Sequence, residues 1–269
     1  MGILDKFKLD GKASLVTGAG SGIGRGYALA LAEAGADVAV VDIDKASADK
    51  VAEEIKARGR RGLSIVADVT KKEGVDSMMN TVLKEFGRLD IAVNNVGGRG
   101  RGGPTPEGDI APSLRHTEQN MDGTYELTIK ANFMCAKAEA LQMMKQKKGK
   151  IIFTASISGM SGTVGSSIAY CTMKAGVIQM TKIFANELGK YGINVNSISP
   201  GVIQTRLTER SLEDEVERRH LIDRTPMGWI GQPEDLQGAV VFLASEASDW
   251  ITGENLVVDG GFTLVRIHH

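Results

Sequence analysis

Seven short stretches of the chain are apolar almost without interruption: Ser14–Val16, Val38–Val41, Leu63–Val66, Ile91–Val93, Ile151–Phe153, Val195–Ile198 and Leu256–Val258. A strand exposed on one face alternates apolar with polar residues, so these continuous runs predict strands covered on both faces, as in a parallel sheet. Between them, Tyr27–Ala34, Lys45–Arg58, Lys72–Phe86, Leu127–Gln146, Ala169–Leu188 and Pro233–Ala244 carry apolar residues at helical spacing. Strand and helix alternate to the end. That order predicts an α/β fold: a doubly wound, parallel, seven-stranded sheet of Rossmann type, with crossovers that put helices on both faces. No linker or shift of composition interrupts it, so residues 1–269 read as one domain.

Composition narrows the function classes. With 269 residues, 42% of them hydrophobic, the chain can bury a substantial core. A formal net charge of -1 and the lack of a long basic block argue against nucleic acid or anionic lipid as partner. The sequence has no apolar run of signal-peptide or membrane-span length, so the expectation is a cytoplasmic protein with no membrane partner. Cys135 and Cys171 stand in no metal-ligand or CxxC spacing, which predicts reduced thiols and no metal. His268 and His269 are set aside as a purification-tag remnant.

Leu15–Gly24, "LVTGAGSGIG", follows the first predicted strand and opens the first helix. There a dinucleotide fold needs bare backbone close to a pyrophosphate and a helix N-terminus facing it. The glycines do not fit G-x-G-x-x-G. They fit Thr-Gly-x-x-x-Gly-x-Gly, with Gly18, Gly22 and Gly24 and with Ser21 and Ile23 between. Further along stand Asp68-Val69, Asn94-Asn95-Val96-Gly97, Asn132, Ser156, Tyr170-Cys171-Thr172-Met173-Lys174, Pro200-Gly201-Val202-Ile203-Gln204-Thr205, Gly231-Gln232-Pro233-Glu234-Asp235 and Val258-Asp259-Gly260-Gly261. In identity and order these resemble the motifs of the short-chain dehydrogenase/reductase family over nearly the whole chain.

Several roles can be argued from residue types. Tyr170 and Lys174 are four apart on a predicted helix and so share a face. On its own such a pair is an ordinary surface amphipath with a snorkelling lysine. Beside a cofactor loop it becomes a proton-exchanging site. A phenol titrates near ~10 and must be brought down to act near neutrality; Lys174 is expected to supply one such positive charge and an oxidised nicotinamide ring another. Asp42, followed by Ile43, ends the second strand; its carboxylate suits an adenosine ribose diol and repels a 2′-phosphate, which predicts NAD as cofactor. Asp44 reads as the N-cap of the next helix.

Other roles are what the resemblance implies. Tyr170 is the general acid/base, Ser156 polarises the substrate oxygen, and Asn132 distorts its helix and holds a water that links Lys174 to solvent. Asp68 and Val69 line the adenine pocket, while Asn95, Val96 and Gly97 pack beneath the cofactor. Pro200, Gly201, Ile203 and Thr205 border the nicotinamide. Relatives assemble as tetramers through the helices holding Asn132 and Tyr170, so a homotetramer is expected. The implied activity is hydride transfer between NAD and a small-molecule secondary alcohol or ketone, with a sugar, polyol or hydroxy acid among the candidates. A 3-oxoacyl-thioester reductase or a steroid-type hydroxyl dehydrogenase is the alternative, and a non-enzymatic NAD-binding regulator is the reading an intact Asn132, Ser156, Tyr170 and Lys174 set opposes.

Two segments depart from the family pattern. Residues 98–125 are longer than usual and carry Arg99, Arg101, Arg115 and His116; this inserted loop would touch substrate or a neighbouring subunit, its arginines either clasping an anion or simply solvated. Residues 205–229, charged and ending in Trp229 where relatives are commonly basic, read as a substrate lid. His116 and His220 read as surface residues.

Overall fold

Ala13–Thr17 (β1) is buried at all five positions, and its residues turn alternately to two different cores. Val16 joins one apolar cluster and Leu15 the other; Val38 and Val40 of β2 (Asp37–Asp42) join the first, Ala39 and Val41 the second. Every interior strand therefore needs apolar residues throughout, which is why the sequence shows continuous runs. The computed structural model describes residues 2–100, 111–161 and 167–264. Arg101, residues 101–110 of the atypical segment and the terminal histidines lie outside the described residues.

The remaining strands are β3 (Gly62–Val66), β4 (Ile91–Asn94), β5 (Gly149–Thr154), β6 (Ile193–Pro200) and β7 (Asn255–Val258). They form one parallel sheet in the order β3-β2-β1-β4-β5-β6-β7. Helices α1 (Gly22–Glu33) and α2 (Lys45–Lys56) pack on the first core, and α3 (Lys72–Phe86) on the second. Asp44 caps α2 by accepting the Ser47 N–H at 3.0 Å. The chain order reverses between β1 and β4, where α/β sheets open a crevice beyond the strands' carboxyl ends.

The long helix predicted from Leu127 starts earlier. Glu118–Tyr125 (α4) runs through a π-helical turn, Glu126–Lys130, into α5 (Ala131–Gln146). The part of the atypical segment read as loop is thus helical from Glu118 onward. Helix α6 (Ile168–Leu188) lies beside it, and Thr205–Trp229 contains two short helices, α7 (Glu209–Glu213) and α8 (Glu215–Asp223). After a 3-10 turn, Pro233–Leu236, α9 (Gln237–Ala244) completes the first core. No helix among the described residues is long and apolar enough to cross a membrane.

Candidate active site

The loop after β1 is tied down from β4. Thr17 Oγ1 accepts the Asn95 N–H at 3.0 Å, and the Asn95 side-chain amide donates to the carbonyls of Thr17 and Gly18 at 3.2 and 3.3 Å. Gly18 and Gly22 adopt φ of +62° and +53°, the left-handed region that favours glycine. A Cβ on Gly24 would stand 2.1 Å from the Gly18 carbonyl oxygen, so α1 can press against its own loop only with glycine there. Ser21, at the N-cap, makes no side-chain capping bond, which leaves the first amides of α1 available to an anionic ligand. The loop therefore fits a dinucleotide pyrophosphate.

Asp42 sits at the loop's rim. One carboxylate oxygen accepts the Gly20 N–H at 2.9 Å and the other the Asp44 N–H at 3.0 Å. Arg25, the base nearest the loop in sequence, is paired with Glu54 at 2.5 Å. A 2′-phosphate on a bound adenosine would meet a fixed carboxylate with that arginine already engaged.

At the other end of the crevice three side chains converge. Ser156 follows β5 and caps a 3-10 turn, Ile157–Gly159, by accepting the Ser158 N–H at 3.1 Å. Gly159 presses onto the α6 backbone, where a Cβ would stand 2.6 Å from the Lys174 carbonyl carbon, and this brings Ser156 against the first turns of α6. Tyr170 stands in that first turn, its N–H held by the Ser167 hydroxyl at 3.3 Å. His116, half-buried rather than on the open surface, bonds the same hydroxyl at 2.8 Å. Lys174, one turn further, is buried; its ammonium donates to the Thr154 carbonyl at 2.5 Å and lies 5.7 Å from the Tyr170 ring centroid.

The electrostatics correct one expectation. Burial holds the Tyr170 phenol above its ordinary value, opposed by a hydrogen bond from Ser156 and by the charge of Arg99. Lys174 does not provide the lowering shift. Burial pushes its own ammonium down to about 8, and that ammonium is engaged by Thr154.

These features line one cleft of about 1180 Å³, larger than the roughly 300–1,000 Å³ usual for small-ligand sites. Gly18, Ser21, Gly22, Ile23, Asp42, Ile43, Asp68, Val69, Asn95, Val96, Gly97, Ser156, Tyr170, Lys174, Pro200, Gly201, Ile203 and Thr205 all face it. Gly24 lies beneath the loop. Asn132 is not part of the lining: it is buried, and its amide nitrogen is spent on the carbonyls of Val96 at 2.8 Å and Thr128 at 2.5 Å. Thr128, which the sequence reading did not single out, lies on the other side of Gly97 from the lysine. A Cβ on Gly97 would lie 3.1 Å from Lys174 Nζ and 3.6 Å from Thr128 Oγ1. Its signal is its position four residues before Asn132, which reaches back to its carbonyl. Among the described residues no group of three His, Cys, Asp or Glu is arranged to hold a metal.

Comparison with known proteins agrees with this geometry. A family model described as enoyl-(acyl carrier protein) reductase matches residues 18–263. The 2-dehydro-3-deoxy-D-gluconate 5-dehydrogenase of Escherichia coli (strain K12) is 38% identical over 261 residues, 97% of this chain and 98% of the relative. A solved short-chain type dehydrogenase/reductase from Mycobacterium marinum is 38% identical with a TM-score of 0.89, covering 98% of this chain and 100% of that one. A gluconate 5-dehydrogenase from Burkholderia cenocepacia J2315, solved with NADP and tartrate, is 32% identical with a TM-score of 0.90, covering 98% and 100%.

Proposed function

Since this chain belongs to the short-chain dehydrogenase/reductase family, we propose that it is an NAD-dependent dehydrogenase interconverting a secondary alcohol and its ketone, with Tyr170 exchanging the hydroxyl proton. The observation that carries this reading is the convergence of Ser156, Tyr170 and Lys174 at one end of a cleft whose other end is the glycine loop.

When bound, the nicotinamide supplies or accepts the hydride and, oxidised, adds positive charge beside the phenol. Tyr170 Oη takes the alcohol proton during oxidation and returns it during reduction. Ser156 donates a hydrogen bond to the substrate oxygen, where negative charge develops. Lys174, fixed by the Thr154 carbonyl, stands beside the phenol ring and, across Gly97, near the buried Thr128 hydroxyl. Asn132 acts as a positioning residue: by capping the Thr128 carbonyl it holds the π turn against the lysine. Thr205 and its neighbours close the cleft as a lid.

Asp42 is the basis for choosing NAD over NADP. The wild type is expected to show a kcat/KM for NAD at least about 100-fold above that for NADP, and Asp42→Ala to cut the NAD value roughly 10- to 100-fold, the worth of a charged hydrogen bond. Initial rates with both cofactors decide it, and a tenfold wild-type preference for NADP would overturn the assignment.

The oligomer follows from the outer face of α5 and α6. Phe133 and Leu141 on α5 and Ile183 on α6 are each about half exposed, and Phe133 stacks at 6.3 Å on Phe184 to join the two helices into one apolar patch. We assign this patch to the helix pairing of a homotetramer. Leu141→Glu combined with Ile183→Glu is expected to halve the mass measured by light scattering or reduce it further. An unchanged mass would exclude this face.

A further inference from the structure

The Gly98-Arg99-Gly100 stretch leaves β4 and runs along α4 toward the mouth of the cleft. Gly98 bonds the Thr128 hydroxyl through both its N–H and its carbonyl at 3.3 Å. One helical turn earlier, the Thr124 hydroxyl accepts the Gly100 N–H at 3.3 Å and donates to the Asn120 carbonyl at 2.7 Å. A Cβ on Gly100 would stand 2.0 Å from the carbonyl carbon of Gly123, so two glycines meet backbone to backbone. The residue between the two anchors is an arginine. A flexible, solvated loop has no need of such pinning. A cation that must be presented at one place does, because ordering the backbone in advance lowers the cost of binding.

Arg99 lines the cleft with Ser156 and Tyr170. It has no ion pair with any described residue, whereas Glu126 on the same rim is engaged with Lys130 at 3.5 Å. Its charge is felt at the Tyr170 phenol, which places the guanidinium at the reacting end of the cleft and not at the adenine end. A planar guanidinium matches the two oxygens of a carboxylate better than an ammonium does.

We infer that Arg99 is the anion-binding residue of the substrate site, and that the substrate is a hydroxy acid, or the oxo acid it becomes, with its carboxylate close to the carbon that exchanges hydride. This rests on the dehydrogenase reading above. The neighbouring glycines hold the guanidinium, the Ser156 and Tyr170 hydroxyls hold the substrate oxygen, and two-point binding sets which carbon faces the cofactor.

The test uses paired secondary alcohols that differ only in carrying a carboxylate or its primary amide, assayed with the full-length enzyme. In the wild type the acids are expected to exceed their amides in kcat/KM by roughly 10- to 100-fold, the range of a charge-assisted hydrogen-bonded pair. Arg99→Gln removes that ratio, the acids losing more than the amides and chiefly through KM, and Arg99→Lys restores part of it. Calorimetric titration of the same acids and amides should show the same loss in Kd. Acids that are turned over no better than amides by the wild type, or not at all, overturn the inference. So does an equal loss on both in Arg99→Gln, since the residue would then act only through the phenol's charge. Failure of the parent reading looks different: Tyr170→Phe would keep its activity on the amides.

Discussion

Tyr170→Phe is expected to lower kcat by about three orders of magnitude in both directions, while the Kd for NAD stays within about twofold. The phenol lies in the first turn of α6 with its N–H held by Ser167, so removing one oxygen leaves the fold untouched. What is lost is the group proposed to take the hydroxyl proton, and positioned proton transfer is worth roughly 10²–10⁴ in rate. The same phenol predicts opposite pH trends for the two directions. Burial holds it above its ordinary value, so oxidation, which needs the phenolate, should climb with pH through the alkaline range. Reduction, which needs the protonated phenol, should stay level until that ionisation is reached. Stopped-flow rates with either cofactor form separate the two, and a variant that keeps more than a tenth of wild-type kcat would remove Tyr170 from the chemistry.

How much of this was legible in the sequence depends on which kind of contact decided each feature. The strands were readable because a sheet covered on both faces demands apolar residues at every position, as Leu15 and Val16 facing different cores illustrate. The glycine loop was readable because left-handed φ at Gly18 and Gly22 and the tight approach at Gly24 leave no alternative residue. Helix α4 was not. Glu118–Tyr125 buries only Thr124, so it has no apolar stripe, and it is started by a reciprocal cap between Thr117 and Asn120. The π turn is likewise invisible to periodicity, since it depends on Asn132 reaching back to the Thr128 carbonyl and across to Val96. Both Asn132 and Thr128 are buried behind the cleft wall, Thr128 with its hydroxyl on Gly98. The sign of the shift at Tyr170 was also out of reach, because spacing shows which charges are near but not how deeply water is excluded.

Glu139→Gln is expected to stabilise the protein by about 3 kcal/mol at pH 8 to 9 and by nothing at pH 5. Glu139 projects from α5 into the second core, fully buried, where one carboxyl oxygen accepts the Asn94 side-chain amide at 2.7 Å and the other has no partner. With only one neutral hydrogen bond to offset the loss of water, burial pushes the carboxyl from 4.5 up to about 8. The unfolded chain therefore releases this proton near pH 4.5 and the folded chain keeps it to about pH 8. Between those values the unfolded state binds fewer protons, so stability falls as pH rises, by at most about 1.4 kcal/mol per unit, and levels off above the folded value. The full span sets a ceiling of roughly 4–5 kcal/mol, and an amide N–H left without a partner in the variant takes back about 1 kcal/mol. The effect bears on the active site because Asn94 immediately precedes Asn95, whose side chain ties down the cofactor loop. Urea midpoints at fixed protein concentration from pH 5 to 9 measure it: wild type and variant should diverge steadily up to about pH 8, whereas parallel curves would mean that Glu139 is ionised in the folded protein.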